Sequence, residues 1–354
     1  MRPPRLRHAI LLVLGLAPRM LVGQVPRAPL RIVVVGDINL ARVVARQYVL
    51  PGRGAEIFAA VRDSLRAADI ALANLESLIL DRDTVTDTAL SPVFAAPRAA
   101  AALLTDAGFA AVGTANNHAW DFGHAALLES LRHLDSAGVA HTGTGATVAD
   151  ALRPVVLRRR GWTVAVFAVT YIFNNPDLTV RGHPAACCVA WADTALLRPA
   201  FADARRAGAD RVLVLLHAGL EYRAVPPPNV ERMARAIVRA GADAVFGSHP
   251  HVPQGLEWVD GKPIVYSLGN FVFVQRRAWT DRGLWAEYTV SPAGAAALVV
   301  RPVDAGVRPR LATGADSAAV RAHFRAISDS LTALPRARPR RTLGRHPTPG
   351  HGSE

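Results

Sequence analysis

GTANNHAWDFG, residues 113–123, is the stretch whose reading decides the fold of this chain. An apolar run at 109–112 leads into it with the character of a strand, and a helical pattern begins near His124. Two amides, Asn116 and Asn117, and the imidazole of His118 therefore stand side by side at a strand's exit. Open α/β sheets place their chemistry at such exits. An amide oxygen binds hard or borderline metals, and a neighbouring imidazole serves as ligand or proton donor. Asn and Gly also mark ordinary turns, so the stretch takes its weight from what stands at the ends of other strands.

Working outward, the apolar run 31–35 stops on Gly36-Asp37, and the run 70–73 ends in Asn74-Leu75-Glu76. The run 211–216 ends in His217, and 244–246 is followed by Gly247-Ser248-His249-Pro250-His251. Taken singly, an Asp after a strand is a helix cap and a His is a satisfied hydrogen-bonder. Five strand exits carrying Asp37, Glu76, the Asn116-Asn117-His118 triplet, His217, and His249 with His251 form a set that chance does not readily produce. His249 and His251 stand at i and i+2, and on an extended segment such residues point the same way and reach one site.

Between these exits, residues 56–67 have helical spacing with Ile57, Val61 and Leu65 on one face. Pro97 is read as opening a helix that runs to Gly108. A helix at 125–137 stops at Gly138, strands at 155–157 and 163–169 flank a hairpin turn at 158–161, and a helix follows at 192–207. Asn229 is read as the cap of a helix at 230–240. Strands at 264–266, 284–290 and 296–300 come with little helix between them, and a last helix spans 315–334. Residues 81–92 read as a polar loop and 171–190 as irregular. The order is β-α-β first and β-rich later, which predicts an α/β fold of two packed mixed β-sheets flanked by helices, without internal repeats.

At 354 residues, of which 51% are hydrophobic, the chain can bury a large core and is not globally disordered. Its net charge of +13 is concentrated at the ends, because residues 1–23 carry four Arg and residues 335–354 carry five Arg and one Glu. What remains is 32 basic against 27 acidic residues, with no basic helix or aromatic-interleaved basic patch. Nucleic acid is thereby excluded as the target. Residues 1–23 have signal-peptide anatomy: Arg2, Arg5, Arg7 and His8 precede a short apolar run at 9–17, too short to span a bilayer comfortably. Export to the periplasm or the exterior is expected, with a membrane tether through an uncleaved leader as the alternative. Cys187 and Cys188 are adjacent and are the only cysteines. They provide no disulfide framework and no thiolate zinc site, and read as two small semi-buried residues or as a vicinal disulfide. Residues 335–354 read as a disordered basic tail.

Asp, Glu, Asn and His together suit zinc, manganese or iron better than calcium or a thiophilic metal. Six such donors exceed the need of one tetrahedral ion and match two divalent ions sharing a carboxylate. Such a pair lowers the pKa of water to about 7 and offsets the charge of an anionic substrate.

Gly36-Asp37, ANLES at 73–77, ANNHAWDFG at 115–123, HAGLEY at 217–222, GSHPHVPQ at 247–254 and YSLGNF at 266–271 resemble, in order, the motifs of the bacterial CapA family. These are capsule or poly-gamma-glutamate biosynthesis proteins related to calcineurin-like metallophosphatases. The resemblance implies a four-layer αββα sandwich over residues 30–305. It implies Asp37 and Glu76 as metal carboxylates, Glu76 bridging, with Asn117, His217, His249 and His251 completing the two sites. It also implies His118 as donor of a proton to the leaving group and Asp121 as its orienting partner, with Asn116, Glu221 and Asn270 supporting the ligands. The phosphatase pattern has a His where this chain has Asn39, and a bridging Asp where it has Glu76; both changes are typical of CapA-like proteins. The function so implied is an exported two-metal hydrolase that acts on a phosphoester or amide of an anionic envelope polymer. The alternative is a non-catalytic, metal-binding accessory subunit of a polymer synthesis or export complex.

Overall fold

Apolar runs of five to seven residues, too short for helices and without polar alternation, belong in parallel strands buried on both faces. The structure is a computed structural model and describes residues 27–81, 93–174 and 188–333. In chain order the strands are β1 Leu30–Ile38, β2 Ile70–Leu75, β3 Leu78–Leu80 and β4 Ala95–Pro97. Next come β5 Ala111–Gly113, β6 Ala140–Thr142, β7 Val155–Arg159 and β8 Trp162–Thr170. β9 Arg211–His217, β10 Ala244–Ser248, β11 Leu256–Val259 and β12 Lys262–Val265 follow. The last are β13 Asn270–Val272, β14 Arg282–Val290, β15 Ala296–Asp304 and β16 Arg310–Leu311.

Two mixed sheets result. The first runs β16-β15-β14-β1-β2-β5-β6, with β13 also paired to β1, and the second runs β11-β12-β10-β9-β8-β7. β1, β2, β5 and β6 are mutually parallel, as are β8, β9, β10 and β12. Parallel pairing needs crossover connections and brings the carboxyl ends of the strands to one edge. The register makes this specific. Asp37 pairs with Asn74 on β2 and Asn270 on β13, while Ser248 on β10 pairs with His217 on β9. The strand-exit residues thus share one row.

The sheets pack face to face, β1 on β10, β2 on β9 and β5 on β8. Period-two alternation divides the strands of the second sheet between two cores. Val166, Ala168, Leu213, Leu215 and Phe246 point into the layer between the sheets, in one cluster with Ile32, Val34 and Leu72 of the first. Phe167, Val212, Val214 and Val245 point outward and are covered by helices Thr194–Arg206 and Pro228–Ala240 through Leu197, Phe201, Val230 and Ile237. Helices Ala100–Ala107 and Gly123–Ser136 cover the first sheet with Leu104, Leu127 and Leu134. This is the expected four-layer αββα sandwich. The last helix, Gly314–Ala333, rests on β11 of one sheet and β15 of the other. Gly255 makes room for it, since a Cβ there would lie 2.8 Å from the Ser328 nitrogen.

Several local readings need correction. The helix expected at 56–67 is confined to Arg62–Arg66; before it, Val61 N–H bonds back to Phe58 and Ile57 N–H to Gly54 in three-residue turns. Ile57, Val61 and Leu65 are still buried, because tight turns return apolar residues to one side as a helix does. Pro97 ends β4, a strand paired with β3, and the helix after it begins only at Ala100. Asn229 lies inside the helix that Pro228 opens, and the Pro227 carbonyl takes its first N–H groups. Cys188 is buried and disulfide-bonded. The leader at 1–23, the loop at 82–92, Cys187 and the tail at 335–354 lie outside the described residues. No helix among the described residues is long and apolar enough to cross a membrane.

Two glycines fix how closely the site-bearing segments approach. A Cβ on Gly36 would lie 1.8 Å from the Gly269 carbonyl oxygen, and one on Gly247 would lie 1.9 Å from that of Tyr266. Both obstacles are backbone, so no side chain can yield. Gly36→Ala and Gly247→Ala should each destabilise the protein by about 2 kcal/mol or more. The urea midpoint measures this, and midpoints equal to wild type would contradict the close approach.

Candidate metal centre

Glu76 leaves the end of β2 with its N–H donated to the Ile38 carbonyl at 2.8 Å, which pins its carboxylate over the end of β1. The candidate ligand atoms of Glu76, His217 and His249 lie within 4.8 Å of one another, and so do those of Asp37, Glu76 and His251. Glu76 belongs to both groups. Its Oε1 is 3.8 Å from Nε2 of His217, 3.8 Å from Nε2 of His251 and 3.7 Å from Nε2 of His118. Asn117 adjoins the first group, with Oδ1 2.7 Å from His217 Nε2, and its Nδ2 donates to Asn174 Oδ1 at 2.6 Å. All six residues expected as ligands are buried.

A layer of amides and hydroxyls orients them. Asn74 donates from Nδ2 to Asp37 Oδ1 at 2.8 Å, the same nitrogen lies 3.2 Å from His217 Nδ1, and Asn116 donates to Asn74 Oδ1 at 3.2 Å. Asn270 spends both Nδ2 hydrogens on Gln275 Oε1 and the Thr280 carbonyl, which leaves its Oδ1 as an acceptor 2.9 Å from His251 Nδ1. That places the proton of His251 on Nδ1 and leaves Nε2, the atom facing Glu76, with a free lone pair. Ser248 Oγ stands 3.0 Å from His217 Nδ1, where its oxygen can accept an N–H hydrogen bond and so leave Nε2 free to face a cation. Asp121 Oδ2 accepts the Phe94 N–H at 2.7 Å and lies 2.8 Å from His118 Nδ1. The imidazole is thereby fixed with Nε2 toward Glu76, its ring against Phe94 at 3.9 Å.

The electrostatics are costly without a cation. Burial, and after it the Asp37 charge, push the Glu76 carboxyl well above its ordinary range. Burial and neighbouring imidazoles push His217 and His249 well below theirs. Among the described residues, both oxygens of Glu76 and Nδ1 of His249 are buried without a hydrogen-bond partner. Orphaned acceptors of this kind fit a divalent cation, which would take the place of the missing donors. Carboxylate, imidazole and amide oxygen together are a donor set for zinc, manganese or iron.

The His-Pro-His segment is not extended. His249 and His251 adopt left-handed backbones, φ 95° and 59°, which cost about 1–2 kcal/mol each for residues with a Cβ. Their rings are 6.1 Å apart and belong to different groups. The turn is held by His249 N–H donating to Asp37 Oδ2 at 3.2 Å and Tyr222 N–H donating to the Pro250 carbonyl at 2.8 Å. Glu221 is exposed and, among the described residues, makes no hydrogen bond to the six ligands; it adds negative charge that raises Glu76 further. Asn39 accepts the Ala41 N–H at 2.9 Å, turning its oxygen to its own backbone. Asn74 and Ser248 escaped the sequence reading. Both stand inside its motifs, two residues before Glu76 and one before His249. A third acidic grouping, Asp81, Glu129 and His133, lies at the surface, where Arg98 stands 3.7 Å from Asp81 as a countercharge.

Residues 31–275 match the family model described as bacterial capsule synthesis protein PGA_cap. The PGA biosynthesis protein CapA of Bacillus subtilis is 30% identical over 272 residues, 76% of this chain and 70% of that protein. The capsule biosynthesis protein CapA of Bacillus anthracis is 29% identical over 279 residues, 78% of this chain and 67% of that protein. A Mycobacterium tuberculosis protein named as a probable polyglutamine synthesis accessory protein is 29% identical over 165 residues, 45% of this chain and 43% of that one. The matched span opens one residue into β1 and closes just beyond β13, so it contains every residue of the two ligand groups. The chain belongs to the bacterial capsule synthesis protein family PGA_cap, the CapA group.

Proposed function

We propose that the protein is an exported, metal-dependent hydrolase of the CapA type, acting with two divalent ions on a phosphoester or amide in capsule, poly-gamma-glutamate or other envelope polymer metabolism. The observation that carries this reading is the pair of ligand groups joined through Glu76, whose carboxylate has no hydrogen-bond donor of its own. Asp37, Glu76 and His251 would hold one ion, and Glu76, Asn117, His217 and His249 the other. Bound there, such ions supply Lewis acidity, lowering the pKa of water and offsetting substrate charge. The chain's own contribution to proton transfer is His118. Its Nδ1 is committed to Asp121, so Nε2 can deliver a proton to a leaving group in the pocket. A purely structural metal site has no need of a buried His–Asp pair beside it. The positive head and apolar run of residues 1–23 support export.

A second reading, a non-catalytic accessory subunit, is favoured by the name of the Mycobacterium relative. In that case the same pocket would grip metal and anionic polymer without turnover.

Elemental analysis of the purified full chain should find about two divalent ions per molecule, and Glu76→Ala or His249→Ala should lower that content. His118→Ala should keep its metal yet lose about 10²–10⁴-fold in turnover of aryl phosphate mono- or diesters or gamma-glutamyl amides. Asp121→Asn should lose less, since it perturbs only the tautomer and aim of His118. An unchanged rate in His118→Ala would remove its catalytic role. A fully metallated wild type inert toward the whole panel would establish the accessory reading.

A further inference from the structure

Backbone strain is unevenly spread in this molecule. Seven non-glycine residues among those described have positive φ. Arg160 and Asp260 precede Gly161 and Gly261 in tight hairpins, Trp279 stacks on His323, and His249 and His251 carry the metal centre. The remaining two, Arg42 at φ 54° and Tyr222 at φ 61°, also border the centre but are not ligands. Side chains held on left-handed backbones beside a site are candidates for contact with what the site binds.

A row of rings connects the two. The Arg42 guanidinium lies 5.6 Å from the Phe94 ring, Phe94 is 5.7 Å from Phe273, and Phe273 is 4.6 Å from His251. His251 is 6.1 Å from Tyr222, over which the Arg277 guanidinium stands at 5.3 Å. An aromatic wall thus runs past the metal centre, touching His118 through Phe94, and ends in a cation at each side. Neither guanidinium has a carboxylate within ion-pair distance among the described residues. Arg31 and Arg205, by contrast, each pair with one, and Arg235 pairs with two.

We propose that Arg42 and Arg277 clamp an extended chain bearing repeated oxyanions across the metal centre, one guanidinium at each end of the ring wall. A guanidinium stacked on a ring keeps its in-plane N–H fork free for bidentate binding of a carboxylate or phosphate. Two cations separated by a wall of rings suit a ligand with several anions and apolar stems between them, whereas a small monoester would reach only one. Glu221, next to Tyr222, offsets part of the Arg277 charge, so Arg42 is the stronger arm. The assignment rests on reading this pocket as the place where an anionic polymer is handled.

Fluorescence anisotropy on the full chain would test it with two probes, a labelled oligoglutamate of about ten residues and inorganic polyphosphate of similar length. Arg42→Gly should weaken binding about tenfold, the loss expected for a charged hydrogen-bonding group. Arg277→Ala should weaken it less, and the double variant more than either. Arg158→Ala, which removes the same charge from the remote edge strand β7, should bind as wild type. Because glycine suits the backbone at position 42, Arg42→Gly should melt no lower than wild type, which separates lost contact from lost fold. Loss confined to oligoglutamate assigns a polycarboxylate, loss confined to polyphosphate a phosphate chain, and loss of both a clamp that reads oxyanions generally. Affinity for both probes within twofold of wild type in Arg42→Gly and Arg277→Ala would overturn the clamp. Arginine-dependent binding by a protein that hydrolyses nothing would overturn the hydrolase and leave the clamp. Turnover of aryl phosphates together with arginine-independent binding would do the reverse.

Discussion

The rest of the structure depends on one buried carboxylate. Glu76 is fully enclosed, both its oxygens lack hydrogen-bond donors, and three imidazole nitrogens approach it at 3.7–3.8 Å. A charge buried in this way is strongly destabilising unless paired, which is why burial raises the carboxyl well above its ordinary range, and the fold places the group there regardless. Its backbone is tied to Ile38 and its neighbours are set by strand register. The group therefore cannot swing to solvent. The apolar sandwich supplies the stability that permits this local expense, and the cost falls where a cation would remove it.

Strand register is what turns scattered residues into a site. Parallel pairing fixes Asp37 beside Asn74 and Asn270, and His217 beside Ser248, so hydrogen-bonding partners are adjacent before any side chain is chosen. Face-to-face packing of β1 on β10 and β2 on β9 then brings the two rows of strand ends together. Gly36 and Gly247 allow the turns carrying Asn270 and His249 to approach closely. One amide, Asn74, spans the sheets, its Nδ2 donating to Asp37 of the first and standing 3.2 Å from His217 Nδ1 of the second.

Much of this was legible in the chain because buried parallel strands are short apolar runs and their exits are where polarity returns. All six residues expected as ligands come from such exits, and the structure brings them together. What could not be read was backbone conformation inside the exits. The i, i+2 rule for His249 and His251 assumes an extended chain, and no propensity signals a left-handed His on either side of a proline. Asn74 carries no signal of its own because its role comes from register with Asp37, a relation between strands that a single sequence does not display. Three-residue strands such as β3, β4 and β13 are too short to show a period. The apolar spacing of Ile57, Val61 and Leu65 suited tight turns as well as a helix.

The composition of the donor set also bears on what the pocket attracts. Among its six donors only Asp37 and Glu76 carry charge, the remainder being imidazoles and an amide. Two divalent ions would therefore leave the pocket with a net positive charge, in a setting where burial weakens screening. A site built from four carboxylates would be neutral with the same ions, and one with more would repel anions. Burial drives His217 and His249 toward their neutral form, in which they would supply donor atoms without repelling a cation. The low carboxylate count and Arg42 beside it, which has no carboxylate within ion-pair distance among the described residues, act in the same direction, and Glu221 at the opposite side moderates the field. A field of that sign would favour an anionic ligand, and it is set by which donors are absent as much as by those present.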